Sequence, residues 1–186
     1  MALTPSSMLP LGTKAPNFCL PDVLSNELVK LDAVKSTLAT VVMFICNHCP
    51  YVKHILEKLL ELIQTYQPLG IQFIAINSND AHHYPQDSPE KMRELALHLN
   101  FTFPYLFDET QEIAKAYHAA CTPDFFVFDK ALACVYRGRF DETSPGKLNS
   151  PVTGNDLRHV LDNLLENKPI NEKQFPSMGC NIKWKP

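Results

Sequence analysis

The run Phe44-Ile45-Cys46-Asn47-His48-Cys49-Pro50 sets two cysteines at Cys-x-x-Cys spacing between an apolar stretch and an amphipathic one. If the second stretch is a helix, the pair stands at its N-terminus, where unpaired backbone N–H groups and a partial positive charge stabilise a thiolate. A thiolate is the nucleophile of disulfide exchange and the form of cysteine that ligates metals. The spacing therefore points to sulfur chemistry of one of these kinds. His48, inside the pair, can add positive charge that lowers the pKa of Cys46 further. A metal carrier or structural metal site is a reading from a different class, with Cys46, Cys49, Cys180 and a histidine as soft donors. No second Cys-x-x-Cys and no His-x-x-x-His spacing supports it, and His82-His83 read as solvated loop residues. Cys19 and Cys134 lie among apolar neighbours and read as structural thiols. No Gly-rich phosphate loop and no metalloprotease helix motif is present.

The elements around the pair read as alternating strands and helices. Thr40 to Ile45 is a short continuous apolar run, as in a strand buried on both faces. Val52, Ile55, Leu56, Leu59, Leu60 and Ile63 follow helical spacing, with Pro68-Leu69-Gly70 as the stop. Ile71 to Ile76 reads as a second buried strand, and Asn77 to Asp87 as a polar loop that can shape access to a site. Ser88-Pro89 predicts an N-cap and first helical position for a helix over 90–99. Phe103 to Phe107 reads as a strand, and Asp108 as the cap of a helix over 109–119. Phe125 to Phe128 and Cys134 to Arg137 form a hairpin. Thr153 to Asp156 reads as a capping box for a helix carrying Leu157, Val160, Leu161, Leu164 and Leu165. Asp141 to Pro151 reads as a loop and the tail after Pro169 as irregular. The order implies an α/β domain with a parallel core and a late antiparallel hairpin.

Bulk properties narrow the function classes. A length of 186 residues fits one domain, 1–186, with a core of about 11–168, an N-terminal extension and a tail over 169–186. A formal net charge of −3 leaves no electrostatic footprint for nucleic acid or an anionic membrane. No apolar run approaches the roughly 20 residues of a membrane-spanning helix. Six cysteines in a chain this long do not make a secreted disulfide framework. Met1 to Phe18 has neither the basic nor the apolar region of a signal peptide, so a cytoplasmic protein is expected. In that compartment a Cys-x-x-Cys is more often catalytic or metal-binding than a permanent staple.

This element order, with Cys-x-x-Cys opening the first long helix and Thr122-Pro123 opening a later strand, resembles the thioredoxin fold. More narrowly, four blocks resemble the peroxiredoxin-like branch of that superfamily, whose members are labelled alkyl hydroperoxide reductase or thiol-specific antioxidant proteins. The blocks are Cys46 to Val52, Ala75 to Asp80, Thr122 to Phe126 and Gly179 to Lys185. The resemblance implies a central mixed sheet flanked by helices and a redox role. In its thioredoxin-type form Cys46, nearer the helix start, is the nucleophile and Cys49 the resolving thiol. Pro123 matches the cis-proline facing the pair, and the backbone of Thr122 would be an edge for an extended substrate. Cys121 should approach the pair, and Cys180 could reach back as a resolving or relay thiol. In the peroxiredoxin-type form Cys49-Pro50 holds the peroxidatic cysteine, but Cys46 stands where that family has Thr. Pro123 stands where it has Arg, and Arg137 and Arg139 read as surface residues rather than substitutes.

The expectation is a thiol-disulfide oxidoreductase, with a thiol peroxidase of antioxidant type using Cys49 as the runner-up. Its partners would be a protein or small-molecule disulfide, or in the runner-up a peroxide, together with an electron-donating dithiol system. No organic cofactor is needed.

Overall fold

The computed structural model describes residues 3–146 and 150–186. The chain runs through β1 (Leu3–Pro5), β2 (Cys19–Pro21), β3 (Leu28–Lys30), α1 (Leu31–Val34), β4 (Ala39–Phe44), α2 (Pro50–Tyr66) and β5 (Ile71–Asn77). It continues through α3 (Pro89–His98), β6 (Tyr105–Phe107), α4 (Glu112–Ala116), β7 (Cys121–Thr122), β8 (Asp124–Asp129), β9 (Cys134–Gly138), α5 (Asn155–Leu165) and β10 (Met178–Asn181). The main sheet has the order β6-β5-β4-β8-β9. β4, β5 and β6 are parallel, and β8 and β9 complete the sheet in antiparallel register.

All six residues of β4 are buried because the strand is paired on both edges and covered on both faces. Side chains alternate between two core layers, as strand geometry requires. Val41 and Met43 join Phe73, Phe125 and Val127 under α2, α3 and α5, while Val42 and Phe44 join Ile74, Phe126, Phe128 and Tyr117 on the opposite side. Helix α2 forms because Pro50 suits a first helical position and Val52, Ile55, Leu59, Leu62 and Ile63 recur on one face. A short 3₁₀ turn, Gln67–Leu69, ends it, and Gly70 supplies the left-handed φ of 92° that turns the chain into β5. Truncating a fully buried residue such as Leu59 to Ala would cost about 2–5 kcal/mol. Packing of this kind fixes the loop between β4 and α2, which carries both cysteines. Among the described residues no helix is long and apolar enough to cross a membrane.

The structure departs from the sequence reading at three elements. The helix expected over 109–119 is only Glu112–Ala116, because Gln111 adopts a left-handed φ of 64° and His118 one of 54°. Asp108 still serves its N-terminus, accepting from the N–H groups of Ile113 and Ala114 and from the Ser78 hydroxyl. The capping box before α5 does not form. Its N-cap is Gly154, left-handed at φ 68°, and Asp141 instead accepts from the N–H groups of Thr153 and Gly154. Asp156 turns away from the backbone to pair with Arg139 at 2.5 Å. By contrast the cap on α3 is as expected, with Ser88 Oγ accepting from Lys91 N–H. The loop assigned to Asp141–Pro151 is irregular at 141–146 and 150–151, and 147–149 lie outside the described residues. Cys19 is exposed rather than packed, since it sits on an outward-facing position of β2.

The third departure matters most for function. The tail is not irregular throughout: β10 lies between β1 and β7 in a separate three-stranded antiparallel sheet. Cys180 stands opposite Thr122 on one edge and Leu3 on the other. Beyond the strand, Lys183 N–H donates to Asn79 Oδ1 (2.8 Å) and Ile182 N–H to Ala120 O (3.1 Å). Short strands with little alternation carry almost no periodic signal, so pattern reading misses them. The contact is close enough that a Cβ on Gly179 would lie 2.0 Å from Thr122 O. Gly179→Ala should therefore overpack this sheet, costing ~1–3 kcal/mol and lowering the melting temperature by roughly 3–10 °C. An unchanged melt by differential scanning calorimetry would show that β10 contributes nothing to the fold.

Candidate redox-active site

The loop leaving β4 is short, and its backbone is tied to the sheet by Ile45 N–H donating to Ile76 O. The helix then begins at Pro50, with Cys49 as its extended N-cap residue. This corrects one premise of the sequence reading: Cys49, not Cys46, lies nearest the unpaired N–H groups of the helix. No side-chain hydrogen bond caps α2, so negative charge on the Cys49 sulfur would meet the unpaired N–H groups of the first turn. Both cysteines are buried, Cys46 at 1% and Cys49 at 0% exposure.

Thr122 gathers the thiols. Its peptide bond to Pro123 is cis. Cys46 Sγ hydrogen-bonds with Thr122 Oγ1 (3.4 Å), and Cys49 Sγ lies 3.2 Å from Thr122 O. The thiols of Cys46 and Cys49, and those of Cys49 and Cys180, are near enough to shift one another's titration. The expected free edge at Thr122 is not free, because β10 already pairs with it. Cys121 is buried one residue earlier, with its sulfur 3.8 Å from Pro123 O, and burial pushes its thiol far up. Cys134 is likewise pushed up, to about 11, by burial, which fits a packed structural thiol.

The charge of the pair belongs on Cys49. Hydrogen bonding from Cys46 is the main cause of its lowered pKa; burial opposes it, and donation by Cys180, Thr122 and Val52 adds to the lowering. The Thr122 carbonyl is the neighbour that favours the neutral thiol, which can donate to it. Cys46 moves the other way, raised by its bond to Cys49, by burial and by the carboxylate of Asp87. Cys180 is pushed up to about 12, chiefly by burial and then by Cys49.

His48 does not point a lone positive charge at Cys46. Its Nδ1 is 2.5 Å from Asp87 Oδ2, and its ring stacks on Tyr84 with centroids 5.6 Å apart. Asp87 is buried, and also accepts from Asn79 Nδ2 (2.7 Å) and Asn47 N–H (2.8 Å). Burial opposes its charge, but the bonds from His48, Asn79 and Asn47 outweigh it and hold the carboxyl below its ordinary value. Sequence reading missed Asp87, Asn79 and Tyr84, treating 77–87 only as an access loop. Their one signal was a polar stretch with an acid beside a helix cap, which turns share.

The metal reading changes its ligand set. Among the described residues the Cys/His/Asp/Glu atoms close enough to share an ion are those of Cys46, His48 and Asp87, within 4.8 Å of one another. Cys49 and Cys180 are not in that group, and His48 and Asp87 already satisfy each other. His83 pairs with Asp80 on the surface. The arginines are half-buried rather than simply exposed, and both are engaged. Arg137 donates to Leu9 O and Gln174 Oε1, and Arg139 pairs with Asp156. A cavity of about 250 Å³ opens beside Pro123, lined by Tyr51, Ile55, Arg139, Phe140 and Met178. The buried thiols do not line it.

Known proteins share this arrangement of elements. The AhpC/TSA family pattern matches residues 11–136. The crystal structure of an uncharacterized conserved protein from Geobacillus kaustophilus is 56% identical, with a TM-score of 0.98 over 100% of this chain and 98% of that one. Thiol-disulfide oxidoreductase ResA of Geobacillus kaustophilus (strain HTA426) is 25% identical over 127 residues, 68% of each chain. The thioredoxin domain of a thiol-disulfide oxidoreductase from Bacteroides vulgatus is 15% identical, with a TM-score of 0.62 over 83% of this chain and 99% of that one. At that identity the likeness is one of fold, and the fold is the thioredoxin fold expected from the sequence.

The lowered pKa of Asp87 makes a stability prediction. A carboxyl held below its ordinary value stabilises the fold above pH 3.8 and loses that contribution as pH falls through its folded pKa. Asp87→Asn should destabilise the protein at pH 7 by roughly 1–3 kcal/mol and by less at pH 3. Thermal melts at both pH values measure the two gaps; equal gaps would mean that the ionised carboxylate contributes nothing.

Proposed function

The chain belongs to the AhpC/TSA family, and from that premise we propose that it is a thiol-disulfide oxidoreductase whose redox pair is Cys46 and Cys49, with Cys49 attacking first. The observation that carries this reading is that Cys49 is the N-cap residue of α2, at the unpaired N–H groups of the helix, with its sulfur 3.2 Å from Thr122 O and with Cys46 Sγ 3.4 Å from Thr122 Oγ1.

The cycle follows from the placement of charge. The Cys49 thiolate attacks one sulfur of a substrate disulfide; a mixed disulfide forms and the other sulfur leaves as a thiolate that takes up a proton. Cys46 then gives up its proton and attacks Cys49 Sγ, releasing the second substrate thiol and leaving a Cys46–Cys49 disulfide. The His48–Asp87 pair lies within 4.8 Å of the Cys46 sulfur and is placed to accept that proton. An external dithiol restores the reduced pair, and no organic cofactor enters. A stabilised thiolate favours the reduced form, so the disulfide is comparatively oxidising. The substrate is a small disulfide or an exposed protein disulfide rather than an extended strand, because the strand-pairing edge of Thr122 is occupied.

The peroxide reading has one observation in its favour, a thiolate-bearing Cys49 followed by Pro50 at a helix start. It lacks a cation for the peroxide oxygens, since Arg137 and Arg139 are committed elsewhere. The test is reduction of oxidised glutathione coupled to dithiothreitol. Cys49→Ser should lose exchange by about two orders of magnitude or more, and Cys46→Ser/Cys180→Ser, which lacks both neighbouring thiols able to resolve it, should accumulate a glutathione adduct on Cys49. Exchange that persists in Cys49→Ser, or an adduct that collects on Cys46 there, would reject this order of attack. Peroxide consumption matching disulfide reduction in wild type would favour the second reading.

A further inference from the structure

The pair chemistry uses two of the three sulfurs that meet at Thr122. Cys180 reaches the same place on a separate element. β10 runs antiparallel to β7, with Cys180 opposite Thr122 and Asn181 opposite Cys121. Its backbone comes as near as glycine permits, with no room for a Cβ on Gly179 against Thr122 O. That carbonyl is the atom 3.2 Å from Cys49 Sγ. β1 holds the far edge of the strand, placing Leu3 opposite Cys180. Cys49 and Cys180 are thus neighbours across the Thr122 backbone. An extended segment paired at Thr122, with its cysteine against Cys49, is how a peptide would offer its sulfur to this site by strand addition. The chain supplies such a segment itself.

We propose that Cys180 is a third redox thiol, held in cis where a substrate strand would lie, and that Cys49 forms a disulfide with it as an alternative to Cys46. The inference rests on Cys49 being the attacking sulfur. In the first step Cys180 loses its proton and attacks Cys49 Sγ of the mixed disulfide. The bond from Cys49 to the substrate sulfur breaks, and the departing substrate thiolate takes up the proton. The substrate disulfide has then gained two electrons and the protein holds one disulfide, Cys49–Cys180. In the second step a thiolate of the electron-donating dithiol attacks Cys180 Sγ, and Cys49 departs because it is the better-stabilised thiolate and so the faster leaving group. The second thiol of the donor attacks its own sulfur in the resulting mixed disulfide, and Cys180 returns as a thiol. Cys180 is thus the point at which electrons enter, while Cys49 is the point at which they leave.

The test oxidises Cys46→Ser protein with excess oxidised glutathione, quenches with acid and an alkylating reagent, and maps cysteine-containing peptides by mass spectrometry. The expected product is a Cys49–Cys180 disulfide with little glutathione retained. Cys46→Ser/Cys180→Ser and Cys46→Ser/Cys180→Ala should each retain several-fold more glutathione on Cys49. Thermal melts confirm that these variants fold, and the product in Cys46→Ser alone decides the matter if they do not. Equal adduct in Cys46→Ser and the double variants, or a bond from Cys49 to Cys121, would overturn the proposal while leaving the pair chemistry intact. A Cys49 that takes no glutathione in any variant would overturn both.

Discussion

Thr122 meets Cys46 through its hydroxyl, Cys49 through its carbonyl and β10 through its backbone, so one residue fixes the relative positions of three thiols. Two neighbouring thiols inside the protein cannot both be ionised cheaply, and they titrate as a pair. Which of them holds the charge is then settled by what surrounds each. On one side Val52 N–H, the start of α2 and the Thr122 hydroxyl favour negative charge at Cys49. On the other, the Asp87 carboxylate opposes it at Cys46. Asp87 can play that part only because His48, Asn79 and Asn47 keep it ionised in a buried position. The polar loop after β5 is therefore part of the electrostatics of the thiols.

Much of this was legible in the residues. The apolar run of β4 and the helical spacing of α2 place Cys46 and Cys49 between a buried strand and a helix, and that is where they lie. The thioredoxin-like order of elements placed Thr122 and Pro123 opposite the pair, and the bonds from Thr122 to both sulfurs agree. What the residues did not disclose was a matter of one turn or of distance along the chain. Whether a helix begins at Cys46 or at Pro50 depends on local backbone angles, and periodicity fixes helix ends poorly. The partnership of His48 with Asp87 spans 39 positions and that of Cys49 with Cys180 spans far more. Neither has a local pattern to betray it.

The N-terminal segment is drawn into the same corner. Ser6 hydroxyl donates to Asp124 Oδ2 (3.0 Å), and Ser6 N–H to Ser177 O (2.9 Å). Asp124 directly follows Pro123 and is fully buried, which pushes its carboxyl up to about 8. An acid left largely neutral here fits the electrostatics, because a further full negative charge beside the thiols would oppose the thiolate at Cys49. Residues from 3–6, 46–49, 79–87, 122–124 and 177–183 thus form one neighbourhood, tied by contacts of large sequence separation.

The strand β10 has only four residues and belongs to the small sheet rather than the main one. Elements of that size open locally at far lower free energy than the global fold. Both sulfurs of the pair are almost wholly enclosed, and opening of the small sheet would uncover them to a bulky reagent. The measured rate is then an intrinsic chemical rate multiplied by an opening equilibrium. Change in the tail, remote in sequence from Cys46 and Cys49, would retune the apparent reactivity of the thiols toward large partners while leaving small ones nearly unaffected. The molecule in this sense carries a size filter written in strand stability rather than in the shape of a pocket.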